Sequence, residues 1–233
     1  MANPSWFADE LATAGRENLD EEHVARYDDK EDSGAEEELR LLQEAGAGPG
    51  ARVVEFGPGT GQFTVRAAQA FAQVVAADVS PVMLHRLAGK VAALGLDNVT
   101  LVQAGFLSYE HQGPPADAVY SRLALHHLPD FWKALALSRV RSILRTGGLL
   151  RLWDVVYDFD PAEAEERIEA WCAGGGDDVA TEWVRAELEE HVRDEHSTFT
   201  WLLEAMFDRT GFEVLQADHS ADGMFAGYVL RAG

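Results

Sequence analysis

The sequence predicts an α/β fold, a mostly parallel sheet with helices on both faces. Three observations carry that expectation. Short apolar runs alternate with amphipathic helical stretches between residues 51 and 153, the rhythm of βαβ units with right-handed crossovers. A turn bearing three glycines lies within Val53–Thr64, "VVEFGPGTGQFT", directly behind the first run. Open sheets of this kind bind ligands beyond the carboxyl ends of their strands. After residue 160 the rhythm stops, and charged helical sequence leads into a last helix and two β-runs.

The elements follow in order. Residues 1–48 read as a helical segment, in which Ser33 and Glu36 have capping-box spacing ahead of "AEEELRLLQEAG" and Gly46 supplies the stop. "ARVVEF" (51–56) is the first strand, "GQFTVRAAQAFA" (61–72) a helix and "QVVAADVS" (73–80) the second strand. Ser80 and Pro81 give an N-cap and a first-turn proline for "VMLHRLAGKVAAL", which Gly95 closes. "VTLVQA" (99–104) and "ADAVYS" (116–121) are the third and fourth strands. "DFWKALALSRVRSIL" (130–144) is a helix ended by "TGG", and "GLLRLW" (148–153) is the fifth strand. Residues 160–196 read as a helical insertion broken by "CAGGGDD". "STFTWLLEAMFDRTG" (197–211) is a capped helix, and "FEVLQA" and "MFAGYVLRA" flank a turn as an antiparallel pair.

Composition narrows the function. At 233 residues and 47% apolar, the chain can bury one sizeable core. No apolar run approaches the roughly 18 residues that span a bilayer, and the N-terminus lacks a secretory pattern. One cysteine, Cys172, allows no internal disulfide and no cysteine-built zinc site, so a cytoplasmic setting is expected. Net charge is −21, and residues 1–49 carry fourteen acids against four bases. Without a basic stripe, neither nucleic acid nor an anionic membrane is an expected partner. A small molecule is the expected substrate, and a homodimer is compatible with these numbers.

The glycine turn excludes two nucleotide classes. Dinucleotide sites use G-x-G-x-x-G, but Gln62 stands where the third glycine would fall. No Gly-Lys-Ser/Thr follows, so the turn is not a phosphate-cradling loop. Glu55, directly before it, would repel a pyrophosphate and suits a ligand with positive charge. Asp78, at the end of the second strand, offers a carboxylate that can accept from two adjacent hydroxyls.

"VVEFGPGTGQFT" resembles the E/D-x-G-x-G-x-G motif of the class I S-adenosylmethionine-dependent methyltransferases. "DAVYSRLALHHLPD" (117–130) and "LRTGGLLRLWD" (144–154) resemble the fourth-strand and fifth-strand motifs of that family, of its small-molecule type 11 and 25 kind. The resemblance implies a Rossmann-like seven-stranded, mostly parallel sheet with an antiparallel C-terminal strand. It implies a cofactor-binding core over 49–159, completed by 197–233, with residues 1–48 and 160–196 covering the substrate. It implies S-adenosylmethionine as cofactor and S-adenosylhomocysteine as product. The cofactor would meet Glu55, Gly57, Pro58, Gly59, Gly61, Asp78, Val79, Met83, Gly105, Phe106, Ser121 and Arg122, with Asp78 on the ribose hydroxyls. One position departs from the pattern: Gly105 stands where many relatives carry an acid for the adenine amino group.

Methyl transfer from a sulfonium is an in-line displacement, so alignment supplies much of the catalysis. A base is needed only where the acceptor loses a proton. His126 and His127, past the fourth strand, are the catalytic candidates, neither preferred. A metal held by them with Asp154 is the less favoured arrangement, and no metal is expected. Tyr27, Trp153, Asp154, His196 and Trp201 are the acceptor-site candidates. Trp6, Tyr157, Trp171, Trp183 and Glu195 lie in the same covering segments. An O-methyltransferase acting on a small molecule is the leading reading, with N- or C-methylation open. The alternatives are a non-catalytic cofactor-binding or protein-interaction module and a peptide or protein methyltransferase.

Overall fold

The computed structural model describes residues 4–21, 24, 34–178 and 182–233. Its strands are β1 (Arg52–Phe56), β2 (Gln73–Asp78), β3 (Val99–Gln103), β4 (Ala116–Arg122), β5 (Leu144–Tyr157), β6 (Thr198–Phe199), β7 (Phe212–His219) and β8 (Phe225–Ala232). Its α-helices are α1 (Arg16–Leu19), α2 (Ala35–Glu44), α3 (Gln62–Ala70), α4 (Pro81–Ala93), α5 (Asp130–Ile143), α6 (Ala164–Ala173), α7 (Arg185–Asp194) and α8 (Thr200–Arg209). The sheet runs β3-β2-β1-β4-β5-β8-β7, with short β6 on the end of β5. β1 to β5 are mutually parallel, and β8 is antiparallel to both β5 and β7. The chain therefore winds outward from β1 to β3, then restarts beside β1 at β4. That reversal opens a crevice past the carboxyl ends of β1 and β4.

Both sheet faces are buried across the central strands β1, β4 and β5, while the edge strands are more open to solvent, β3 half-buried and β7 largely exposed. On one face Val54, Phe56, Val119, Leu150 and Leu152 pack with Leu137 and Val140 of α5 and Leu203 and Phe207 of α8. On the other, Val53, Ala118 and Leu149 meet Leu42 of α2 and Phe63 and Ala67 of α3. Phe63 stacks on Tyr120 with ring centres 3.7 Å apart. Each fully buried ring of this size contributes about 1.5–3 kcal/mol from the area it removes from water. α2 is further tied to β5 by a buried ion pair in which the Arg151 guanidinium donates twice to Glu38, at 2.6 and 2.8 Å.

The structure revises several expected boundaries. Ser33 lies outside the described residues, and α2 starts after Gly34, a left-handed residue (φ 57°) with no side-chain cap. β5 begins at Leu144, not 148, because the "TGG" residues form a bulge inside the strand between the Ala116–Leu144 and Ala118–Leu149 pairs. Gly147 there has φ 72°, a conformation costly for residues with a Cβ. The helix expected over 197–211 is preceded by β6, so Ser197 does not cap it. At α4 the expectation holds: Ser80 Oγ accepts from the Met83 N–H at 3.2 Å and Pro81 opens the helix.

Candidate active site

Two hollows meet above the crevice. The narrower, about 80 Å³, lies over the ends of β1, β2 and β4. Gly57, Gly59, Asp78, Val79, Gly105, Phe106 and Arg122 line it, and Glu10, Thr13, Ala14 and Asn18 of the N-terminal segment form its roof. Gly57 has φ 68°, and a Cβ there would come within 2.5 Å of Ala124 Cβ. Only glycine lets the turn lie this close to the loop after β4. Asp78 accepts from the N–H of Ser80 at 2.8 Å and of Gly59 at 3.2 Å. Burial nevertheless raises its pKa to about 6, against those N–H donors.

Glu55 and Pro58 line a smaller hollow of about 40 Å³ beneath the same turn. The Thr64 hydroxyl donates to Glu55 at 2.5 Å. Burial, reinforced by the nearby Asp78 charge, pushes the Glu55 carboxyl up to about 8. Gly61, Met83 and Ser121 line neither hollow. Gly61 precedes α3, where a Cβ would collide with Leu87 of α4. Met83 and Ser121 are buried in α4 and β4.

The wider hollow, about 740 Å³, lies under α6 and α7. Trp153 and Val155 of β5, Trp171 of α6, Leu188 of α7, Trp183 and Phe225 form apolar walls. Trp153 stacks against Phe225 at 6.2 Å, and Trp171 stands edge-on to Phe225 and His191. Asn18, Arg122, Leu123 and His127 line both hollows. Leu123 is the one non-glycine among the described residues with positive φ, 50°. Its N–H donates to the Trp153 carbonyl at 2.8 Å, which holds the strained turn at this junction.

The histidine pair follows on a 3₁₀ turn, Leu125–His127. Asp154 anchors that turn, accepting the N–H groups of Leu125 at 2.9 Å and His126 at 3.1 Å. It also contacts His126 Nδ1, so Asp154 sits behind the histidine and outside the cavity lining. His126 Nε2 lies 2.8 Å from Glu195 Oε2, and His191 Nδ1 lies 2.6 Å from the same oxygen. Burial opposes charge on His126, but the Asp154 and Glu195 carboxylates outweigh it and raise its pKa to about 10. His126 thus lies between two carboxylates that favour its charged form. Burial would raise Glu195, yet His126 and His191 hold it well below the usual carboxylate range. His127 is the reverse case. Burial, with repulsion from His126, lowers it to about 3 and keeps the ring neutral.

His127 Nε2 lies 3.4 Å from the Asn18 amide nitrogen, and its Nδ1 lies 3.8 Å from Glu195 Oε2. Ligand-capable atoms of His126, His127 and Glu195 fall within 4.8 Å of one another, a group able to hold a metal ion. Glu195 replaces Asp154 in that set, because Asp154 is spent on the rear nitrogen of His126.

The remaining candidates disperse. His196 lies outside the cavity lining; its N–H donates to the His126 carbonyl at 2.9 Å, and its own carbonyl accepts from Lys133. Trp201 is 56% exposed and stacks on Phe199. Trp6 is 68% exposed and stacks on Trp132. Tyr157 packs against Phe159 and Phe199. Tyr27 lies outside the described residues. Glu10, Asn18, Leu123, His191 and Met224 were not singled out from the sequence, since each joins the hollows through contacts distant in the chain.

Comparison with known proteins supplies the chemistry. Residues 53–148 match the model of the methyltransferase domain family. The chain is 28% identical over 182 residues to an uncharacterized methyltransferase of Geobacillus kaustophilus, covering 78% of each. It is 31% identical over 162 residues to an uncharacterized methyltransferase of Anoxybacillus flavithermus, covering 70% of this chain and 69% of that one. Among solved structures, magnesium protoporphyrin IX methyltransferase of Synechocystis with bound SAH aligns at a TM-score of 0.63 and 17% identity, over 86% of this chain and 82% of that one. The switch-point crevice and glycine turn thus sit in a fold that such enzymes share, and sequence kinship extends beyond that turn. The chain belongs to the class I S-adenosylmethionine-dependent methyltransferases.

Proposed function

We propose that the protein methylates a small-molecule acceptor seated in the wide hollow, with a hydroxyl oxygen as the atom modified and the cofactor in the narrow one. One observation carries this reading: the two hollows meet at His127, beside Asn18, Arg122 and Leu123. The narrow hollow fits the cofactor chemically. Asp78 offers a rigid carboxylate to a vicinal diol, and Gly57 and Gly59 bring main chain close without adding bulk. S-adenosylmethionine supplies an electrophilic methyl on a sulfonium that departs as S-adenosylhomocysteine.

The chain's residues do the rest. The aromatic walls exclude water and align the acceptor. His127 receives the hydroxyl proton as the oxygen forms its bond to carbon. His126 cannot take that part, since its ring already carries a proton between Asp154 and Glu195. Among the described residues no helix is long and apolar enough to cross a membrane. A cytoplasmic setting and the absence of a nucleic-acid partner belong to the proposal.

The test is methyl transfer from isotope-labelled S-adenosylmethionine into a pool of small hydroxyl compounds, followed by mass spectrometry. His127→Ala should lower kcat by about 10²–10⁴-fold, the usual contribution of a general base, while cofactor affinity stays within a few-fold. Undiminished turnover in that variant would remove His127 from the mechanism. Label found in protein and absent from the small-molecule fraction would overturn the acceptor class.

A further inference from the structure

We infer that Glu10 recognises the adenine of the cofactor, in the space that Gly105 leaves free. β3 ends without an acidic side chain, yet a carboxylate stands there. Glu10 Oε1 accepts from the Leu107 N–H at 2.9 Å and Oε2 accepts from the Ser108 hydroxyl at 2.8 Å. A Cβ built on Gly105 would collide with this carboxylate. Glycine at 105 and glutamate at 10 are therefore complementary: the first vacates the volume that the second fills.

An ionised carboxylate accepts about four hydrogen bonds; the Leu107 N–H, the Ser108 hydroxyl and the Ser108 N–H supply three of them, which leaves Glu10 room for one more donor. Burial raises its pKa in spite of the Leu107 and Ser108 donors. Glu10, Gly105, Phe106 and Asp78 line the same hollow. With ribose hydroxyls on Asp78, the base extends toward Phe106 and Gly105, and the one strong donor on adenine is its exocyclic amine. Glu10 is the carboxylate placed to accept from it.

Glu10 and Asn18 belong to one segment; the Ser80 hydroxyl donates to the Asn18 carbonyl at 2.5 Å, and Asn18 lies beside His127.

Calorimetry on the full chain tests this with two ligands, S-adenosylhomocysteine and its inosine counterpart, which carries a 6-oxo group in place of the 6-amino group. Wild type should prefer the adenine ligand at least tenfold, because a hydrogen bond to a charged acceptor is lost in the other. Glu10→Ala should bind the two within about threefold of each other, on that same account. Gly105→Asp added to Glu10→Ala should restore the preference. If Glu10 only pins the segment, Glu10→Ala weakens both ligands alike and keeps their ratio, which overturns the inference. Circular dichroism on each variant separates loss of fold from loss of recognition.

Discussion

Asp78 and His127 both act without a proton, and burial shifts them in opposite directions, Asp78 up and His127 down. Asp78 must be ionised to accept from two hydroxyls, yet burial holds its pKa near about 6. Cofactor affinity should therefore fall as pH drops through about 6, approaching tenfold per unit below it as the ionised fraction declines. Calorimetry with S-adenosylhomocysteine between about pH 5 and 8 reads this directly. Asp78→Asn should weaken binding at neutral pH by tenfold or more and abolish the slope. A slope unchanged in that variant would assign the titration elsewhere. His127, pushed down to about 3 by burial and by repulsion from His126, stays neutral across the same range and adds no slope of its own.

At the scale of elements, burial accounts for what holds the floor and the cover. Arg151 on β5 and Glu38 on α2 are both under 6% exposed and paired through two hydrogen bonds. Removing one partner leaves a charge stranded in the core, so Glu38→Ala should cost about 3–5 kcal/mol by urea denaturation. A loss under about 1 kcal/mol would mean water reaches the pair. These elements were also the legible part of the sequence. Strand–helix alternation places β1 to β4 within a residue or two, because each carries a short apolar run bounded by polar or turn residues. Ser80 and Pro81 mark the start of α4 because capping chemistry is local. The bulge in β5 hides behind glycines that read as an ordinary turn, since only pairing with Ala116 and Ala118 shows that the strand continues.

The candidate site was legible in proportion to how local it is. Gly57, Gly59 and Asp78 lie at strand ends and line the narrow hollow together. Glu10 and Glu195 reach the hollows across gaps of 97 and 69 residues from Leu107 and His126, and no local pattern announces such contacts. Asp154 illustrates the same limit. The sequence places it one residue past the fifth strand, among the acceptor-site candidates, whereas it lies within β5 and the rear nitrogen of His126 claims it.

For the molecule as a whole, titration of the interior sets the dependence of stability on pH. Glu55 is raised from 4.5 to about 8, so its contribution is present below about pH 4.5 and lost as pH rises through about 8. His126 is raised from 6.5 to about 10, so the stability it adds is complete below about 6.5 and lost on rising through 10. Both act in the same direction, and a net charge of −21 adds repulsion that salt screens. Tm should fall steadily from about pH 7 to 10, and rise with ionic strength at each pH. Glu55→Gln should flatten the part near pH 8, measured by scanning calorimetry; an unchanged profile would place that titration outside the core.

The central claim is that methyl donor and acceptor meet where the two hollows join. A crystal structure with S-adenosylhomocysteine bound tests it most directly. The account predicts the sulfur beside Leu123 and His127, its open side facing the tryptophan-walled hollow. A sulfur facing away from that hollow, or a cofactor lying outside the Asp78 cleft, would contradict it.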